Sequence, residues 1–258
     1  MRAKPDLDVA RRFVEAAEIP GRLLLGGITG SHHYGFPSPD SDLDIKTIHL
    51  APTEALLGLA TRKEAYERLE VFEGVECDLT SNEARQALHL LLRGNGNMLE
   101  RILCPYQLAE SEEVEALQAL AQGSISKRFY GHYSGFFLAM CKDYEKAAQP
   151  TVKQVLYAYR VAVTGIHLLQ TGVLEADLSV LAERYGVPEA LPLIEAKRRT
   201  AEHVALDPAE ERTHQASLER LGKALDEALE ASTLPEEPLN RDACEVWLIE
   251  ARKAELGG

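Results

Sequence analysis

Long apolar runs are missing from this sequence. No stretch approaches the roughly 20 apolar residues that a membrane-spanning helix needs. The first segment, Met1–Pro20, has the pattern of an amphipathic helix and lacks the apolar core of a signal peptide. We therefore expect a protein that does not enter a membrane and that works in the cytoplasm.

Paired cysteines are also missing. The four cysteines, Cys77, Cys104, Cys141 and Cys244, lie far apart and form no CxxC pair. In a chain of 258 residues this spacing predicts free, mostly buried thiols and excludes a disulfide framework. The eight histidines include no HExxH pair, so the sequence does not support a zinc hydrolase of that class.

Positive charge is scarce. The chain has 28 Lys and Arg residues against 41 Asp and Glu residues, which gives a net charge of −13. Affinity for nucleic acid depends largely on neutralising phosphates with Lys and Arg. The charge balance therefore argues against a general nucleic-acid-binding protein.

Strand signals are confined to the first part of the chain. Arg22–Thr29 is an apolar run that ends in glycines, Leu43–Leu50 alternates, and Glu70–Leu79 has the pattern of strand, turn and strand. The strong patterns that follow are helical. We predict an α+β domain over residues 1–110, followed by an α-helical domain over residues 111–258.

Two local patterns give more detailed expectations. Thr80 and Glu83 have the spacing of a capping box and precede apolar residues at helical intervals, which predicts a helix that begins after Thr80. The basic run Lys197–Arg199 is typical of a solvent-exposed patch at the surface of a helix.

Glycine, serine and acidic residues are concentrated in Gly26–Leu50. Gly30 lets the backbone turn sharply and approach a ligand closely. Ser31 offers a hydroxyl and a backbone N–H, both of which bind phosphate well. Asp42 and Asp44 are two residues apart on a strand, so their carboxylates point the same way and supply the hard oxygen ligands that Mg²⁺ or Mn²⁺ prefers.

Three other residues near this segment have roles that the sequence leaves open. Asp78 lies on a later strand-like run and is a candidate third carboxylate, with Glu76 as its rival on the same face. Lys46 shares a face with Asp44. It either forms a salt bridge that relieves carboxylate repulsion or contacts a phosphate of the substrate.

A basic and aromatic stripe lies on the helix predicted from Thr151. Lys153, Tyr157 and Arg160 are spaced i, i+4 and i+7 and so share one helix face. This face has cations for a triphosphate and a ring on which a base can stack. The alternative is an ordinary solvent-exposed stripe.

The order of these features resembles the DNA-polymerase-beta-like nucleotidyltransferases. That family has a strand, a Gly-Ser turn, a short loop, an Asp-x-Asp pair and a third carboxylate on a neighbouring strand. Within Gly26–Leu50 the fuller string GS, then YG, then SDLD resembles the bacterial predicted-nucleotidyltransferase branch, which includes the RNA-ligase-associated polymerase-beta-like proteins. The resemblance is sharp over this segment and looser through Asp78.

The resemblance implies a mixed-sheet nucleotidyltransferase core with flanking helices and a function to match. A nucleoside monophosphate would pass from an NTP, such as ATP, to an acceptor hydroxyl by a two-metal mechanism. Gly30 and Ser31 would hold the triphosphate, Asp42 and Asp44 would bind the metals, and Asp78 would complete the metal set and assist deprotonation. The acceptor is not identified, and RNA ends are among the candidates. The alternative is a catalytically silent, nucleotide-binding partner or regulator with the same fold.

Overall fold

The computed structural model describes residues 4–57, 64–199 and 204–256. The chain forms two compact units. The unit that we call the sheet unit contains Pro5–Gly30, Asp42–Ser124 and Glu237–Gly258. The unit that we call the helical unit is built mainly from Ser31–Ser41 and Ile125–Glu236. The contiguous division at residue 110 stays a prediction.

A mixed four-stranded sheet forms the centre of the sheet unit. Its strands are β1 (Arg22–Ile28), β2 (Leu43–Leu50), β3 (Ala65–Phe72) and β4 (Val75–Glu83). The spatial order is β1-β2-β4-β3, with β2 and β4 parallel and the other two pairs antiparallel. The α+β fold with a mixed sheet is therefore confirmed.

Helices flank the sheet within the sheet unit. Their bounds are α1 (Leu7–Glu15), α3 (Thr53–Leu57), α4 (Ala84–Leu92), α5 (Gly96–Ile102), α6 (Glu112–Gly123) and α12 (Arg241–Leu256). Phe13 of α1 packs in one buried cluster with Ile45 of β2 and Leu79 of β4. Since strand side chains alternate between faces, burying Ile45 and Leu79 turns their neighbours Asp44 and Asp78 to the opposite face.

The predicted helix start after Thr80 is wrong. Thr80 lies within β4, opposite Lys46 of β2, and the strand continues to Glu83. The helix α4 begins at Ala84, and the carboxylate of Glu83 accepts a 2.7 Å hydrogen bond from the backbone N–H of Arg85. Ladder hydrogen bonds to β2 hold this segment extended, so Glu83 takes the capping position that the sequence assigned to Thr80.

Within the sheet unit, a partly buried ion pair joins the helix α12 to the end of β4. Arg252 contacts the carboxylate of Glu83 at 2.7 Å, and both side chains are largely shielded from solvent. The carboxylate of Glu255 accepts a 2.9 Å hydrogen bond from the backbone N–H of Thr53 at the start of α3. These contacts join the C-terminal helix to the end of β4 and to α3.

A long central helix organises the helical unit. The helix α8 (Val152–Thr171) begins at a complete capping box of Thr151 and Gln154 and ends at Gly172, whose φ is +68°. Most of its residues are buried, including the polar side chains of Arg160, Thr164 and His167. Around it pack α7 (Phe129–Lys146), α9 (Leu178–Arg184), α10 (Ala190–Arg199) and α11 (Glu211–Ala231). Over the described ranges, no helix combines the length and apolarity needed to cross a membrane.

The cysteines are free thiols, as the sequence predicts. Cys77, Cys104 and Cys244 are buried, and Cys141 is partly exposed. Burial raises the pKa of the Cys104 thiol to about 12, which keeps it protonated at neutral pH.

Candidate active site

Two aspartates face each other on adjacent parallel strands. Asp44 of β2 is the register partner of Asp78 of β4. The two side chains are 24% and 39% exposed, so both are open to a ligand from solvent. The buried residues that alternate with them, Ile45 and Leu79, fix both strands against α1. Two carboxylates on a rigid surface can hold a cation or take up a proton.

Lys46 lies between these two carboxylates. Its Nζ is 2.9 Å from Oδ2 of Asp78 and 3.8 Å from Oδ1 of Asp44. It also donates a 3.3 Å hydrogen bond to the hydroxyl of Thr80. Lys46 is 18% exposed, so the ammonium offsets the repulsion between the aspartates at a site that solvent still reaches. The salt bridge, one of the two roles that the sequence leaves open for Lys46, is therefore present.

Gly30 leaves the space that the Asp44 side chain occupies. Its φ is +62°, a conformation that favours glycine. A Cβ on this residue would lie 2.6 Å from Cγ of Asp44. The backbone N–H of Thr29 donates a 2.9 Å hydrogen bond to the carbonyl of Asp44, which fixes the end of β1 beside this carboxylate. The position of the Asp44 side chain thus requires a residue without a Cβ at position 30.

Asp42 and Glu76 lie at the starts of the same two strands. Asp42 immediately precedes β2 and is partly exposed. Glu76 is exposed and pairs in register with Val71 of β3. Asp78, in contrast, pairs directly with Asp44 and contacts Lys46. This geometry favours Asp78 over Glu76 as the third carboxylate, and the metal-binding roles stay predictions.

The carboxylates of Asp42 and Asp44 are ligands of the kind that Mg²⁺ prefers, but they do not form a dense cluster. Among the described residues, no three His, Cys, Asp or Glu side chains are grouped closely enough to hold an ion by themselves. Mg²⁺ commonly takes only one or two protein carboxylates and completes its shell with water and phosphate oxygens. Asp42 and Asp44 therefore fit an ion that is held jointly with a triphosphate.

Ser31 belongs to the helical unit, where it joins a group of serines. A short helix, α2 (Gly30–His33), contains the Gly-Ser turn. The Ser31 hydroxyl donates a 3.0 Å hydrogen bond to Oγ of Ser41, and Oγ of Ser38 lies 3.0 Å from the same atom. The segment that connects β1 to β2 is therefore internally bonded.

The stripe predicted on α8 contacts this connecting segment. Arg160 is 5% exposed, and its guanidinium lies 3.8 Å from the ring centroid of Tyr34. The ring of Tyr157 packs edge-on against Tyr34 and Phe36, at 5.8 and 5.4 Å. Lys153 Nζ is 5.8 Å from the Tyr157 ring. The side chains share one face as predicted, but Arg160 is buried. Their contact with a nucleotide stays a prediction.

Lys197 is buried, contrary to the expectation from the sequence. The run Lys197–Arg199 was expected to be solvent-exposed, yet Lys197 is 2% exposed. Its Nζ donates a 3.4 Å hydrogen bond to Oγ of Ser38. The sequence spacing could have indicated this burial, because Lys197 follows Ile194 by three residues and Leu193 by four, and all three lie on the buried face of α10.

Comparison with known proteins assigns this arrangement to a family. The model of the RNA repair pathway DNA polymerase beta family matches residues 6–250. The uncharacterized protein MJ0002 of Methanocaldococcus jannaschii is 30% identical over 213 residues, which cover 82% of this chain and 86% of that protein. A crystal structure of a nucleotidyltransferase-like protein from Exiguobacterium sibiricum is 13% identical, with a TM-score of 0.33, over 96% of this chain and 80% of that one. The chain belongs to the RNA repair pathway DNA polymerase beta family.

Proposed function

We propose that this protein transfers a nucleoside monophosphate from an NTP to an acceptor hydroxyl and releases pyrophosphate. The observation that carries the proposal is the register pairing of Asp44 with Asp78, beside a turn at Gly30 where a Cβ would meet the Asp44 side chain. Membership of a DNA polymerase beta family supports the same class of reaction.

The proposed reaction depends on positioning and on neutralising charge. Two bound Mg²⁺ or Mn²⁺ ions would screen the phosphate charge and make the acceptor hydroxyl more acidic. Asp42 and Asp44 supply carboxylate ligands for these ions. Gly30 and Ser31 offer backbone N–H groups and a hydroxyl to the β- and γ-phosphates.

The bond changes balance without any further reactant. The acceptor oxygen forms a bond to the α-phosphorus, while the bond from the α-phosphorus to the oxygen that bridges to the β-phosphate breaks. The electron pair leaves with pyrophosphate, and the hydroxyl proton passes to the carboxylate of Asp78.

Lys46 has a proposed role in both states of the site. Without nucleotide it pairs with Asp78 and Asp44, as its distances of 2.9 and 3.8 Å indicate. A triphosphate carries more negative charge than either aspartate, so it should draw the ammonium away from Asp78. That movement would free Asp78 to ligate an ion and to accept the proton.

The test of the reaction uses neutral replacements of the carboxylates. The double variant Asp42→Asn and Asp44→Asn should lose Mg²⁺-dependent transfer of an α-labelled NTP into a cell extract, down to the level without enzyme. Asp40→Asn is the matched control, because Asp40 is an exposed acidic residue of the same segment and has no proposed role. Unchanged transfer by the double variant would overturn the proposal. Binding of NTP by the wild type without any transfer or pyrophosphate release would favour a catalytically silent partner.

A second comparison identifies the third carboxylate. Asp78→Asn should abolish transfer, whereas Glu76→Gln should leave it within about threefold, since exposed charges away from the reacting atoms contribute little. The reverse result would assign the role to Glu76.

RNA ends are the proposed acceptor class, on the strength of the family description. The labelled product should then be sensitive to ribonuclease, and RNA whose terminal hydroxyls have been oxidised should not accept label. The net charge of −13 predicts weak binding to RNA. A steep fall of that binding with salt would support contacts between Lys or Arg side chains and RNA phosphates. Label in protein or in small molecules would exclude RNA as the acceptor.

A further inference from the structure

Lys197 is a fully buried cation outside the sheet unit. It is 2% exposed, and its Nζ donates to the hydroxyl of Ser38 at 3.4 Å. Burying an ammonium is costly unless polar groups receive its protons. The burial of Lys197 therefore indicates a role for this ammonium, and the groups that it contacts indicate which role.

A chain of hydroxyls leads from Lys197 to Ser31. Oγ of Ser41 accepts hydrogen bonds from the backbone N–H of Ser38 at 2.8 Å and from the Ser31 hydroxyl at 3.0 Å. These two bonds occupy both lone pairs of Ser41, so its own hydrogen points to Oγ of Ser38, 3.0 Å away. An ammonium can only donate, so Ser38 accepts from both Ser41 and Lys197. The direction of every bond in the chain is thereby fixed.

The neighbouring residue of α10 holds the same segment. The guanidinium of Arg198 donates to the carbonyl of Gly35 at 3.2 Å through Nε and at 2.6 Å through Nη2. Gly35 has a φ of +86°, and a Cβ there would lie 2.6 Å from Cγ of Asp177. The backbone N–H of Leu178 donates to the carbonyl of Tyr34 at 3.0 Å. The segment that follows Ser31 is thus held by α9 and α10 together.

We propose that Lys197 is a positioning residue for triphosphate binding, which acts through Ser38 and Ser41 on Ser31. This inference rests on the proposed function, in which Ser31 binds the triphosphate of an NTP. When Ser31 turns its hydroxyl towards a phosphate, Ser41 loses one donor, but its bonds to Ser38 remain. Lys197 keeps Ser38 in place, so Ser38 and Ser41 hold Ser31 in its orientation before the triphosphate binds.

The test measures binding of inorganic triphosphate, ATP and AMP, each with Mg²⁺, by calorimetry. Lys197→Met should weaken the binding of inorganic triphosphate and of ATP by about tenfold to a hundredfold, the range for losing a hydrogen bond to a charged group. Binding of AMP should change by less than about twofold, because AMP lacks the phosphates that Ser31 would hold. Arg199→Met is the matched control, since it removes a charge from the same turn at a residue whose side chain is 78% exposed.

A second variant separates positioning from direct contact. Ser38→Ala breaks the chain of hydroxyls while it retains the ammonium, and it should weaken triphosphate binding to a similar extent. The double variant Lys197→Met and Ser38→Ala should bind triphosphate about as well as the weaker-binding single variant, because both substitutions interrupt the same chain of hydrogen bonds. Ser38→Ala also provides the test if Lys197→Met does not fold, which its melting curve would reveal.

Two outcomes would overturn the inference. One is a triphosphate affinity of Lys197→Met equal to that of the wild type. If Lys197→Met does not fold, the same result for Ser38→Ala would overturn the inference. The other is a double variant in which the two losses multiply, since Lys197 would then act independently of Ser38. Both are measured without any transfer step, so failure of the proposed transferase reaction stays distinguishable from failure of this inference.

Discussion

Replacing Gly30 by alanine should inactivate the protein and leave it folded. The new Cβ would lie 2.6 Å from Cγ of Asp44, which is closer than non-bonded carbon atoms approach, and 3.0 Å from Cβ of the same residue. The Asp44 side chain is short and grows from a central strand, so it can relieve the clash only by leaving its rotamer. That movement takes the carboxylate away from its place beside Lys46.

The expected loss of stability has two parts. An alanine at a φ of +62° costs about 1–2 kcal/mol through backbone strain. Forcing Asp44 from its rotamer adds about 0.5–1.5 kcal/mol. Gly74→Ala is a matched control, because Gly74 has a φ of +84° in the same unit but nothing within 4 Å of its Cβ position. Gly74→Ala should therefore lose only the stability that backbone strain costs, and it should retain activity.

A measurement of metal affinity distinguishes Gly30→Ala from Gly74→Ala. Binding of Mn²⁺ in the presence of ATP, followed by electron paramagnetic resonance, should weaken at least about tenfold in Gly30→Ala, since even residues that only orient metal ligands are worth about 10–100-fold. It should be unchanged in Gly74→Ala. The free energy of unfolding of each variant comes from urea titration.

A double-variant cycle tests the cause. In an Asp44→Ala background the clashing carboxylate is gone, so adding Gly30→Ala should cost no more stability than Gly74→Ala does. Equal costs of Gly30→Ala with and without the Asp44 carboxylate would refute the steric argument. So would Gly30→Ala that binds Mn²⁺ as tightly as the wild type.

Two further predictions concern stability. Arg252→Met should lower the free energy of unfolding by about 3 kcal/mol, because it leaves the Glu83 carboxylate shielded and without its cation. Lys253→Met, at an exposed neighbouring residue, should change the free energy of unfolding by less than about 0.5 kcal/mol. Equal effects of the two substitutions in urea titration would contradict a stabilising role of the ion pair. Lowering the pH from about 7.5 to about 5.5 should lower the melting temperature, because the unfolded chain, with a histidine pKa near 6.5, takes up protons before the buried side chains do. Burial lowers the pKa of three histidines, His49, His167 and His214. A melting temperature that stays constant or rises over this interval would contradict the second prediction.

The strands and the acidic face of β2 were predictable because local pattern and tertiary burial agree there. Leu43–Leu50 alternates in sequence, and the structure has a strand with the same bounds. One face of that strand is buried and the other carries Asp44 and Lys46. Alternation has a period of two residues, so a single buried side fixes the direction of every side chain. The turn at Gly74 is likewise set by a glycine in a left-handed conformation.

The errors arose where distant residues decide the outcome. Thr80 and Glu83 satisfy the local rule for a capping box, but pairing with β2 keeps Thr80 extended. Lys197 stands beside Arg198 and Arg199, so the local sequence looks like a basic surface patch. Its buried position involves a hydrogen bond to Ser38, which is more than 150 positions away in the chain. A sequence pattern records spacing along the chain, whereas these positions are determined by contacts that form only on folding.

The position of Ser31–Ser41 in the helical unit sets an order of events during synthesis. This segment emerges from the ribosome early, yet the residues that hold it, Leu178, Lys197 and Arg198, come much later in the chain. At about 5–20 residues per second, on the order of ten to thirty seconds separate Ser31 from Lys197. During that interval β1 and β2 can already pair, while the segment between them has no partner from α9 or α10. The turn proposed to bind phosphate would therefore be among the last parts of the protein to reach its final form, after the aspartates of β2 are in place.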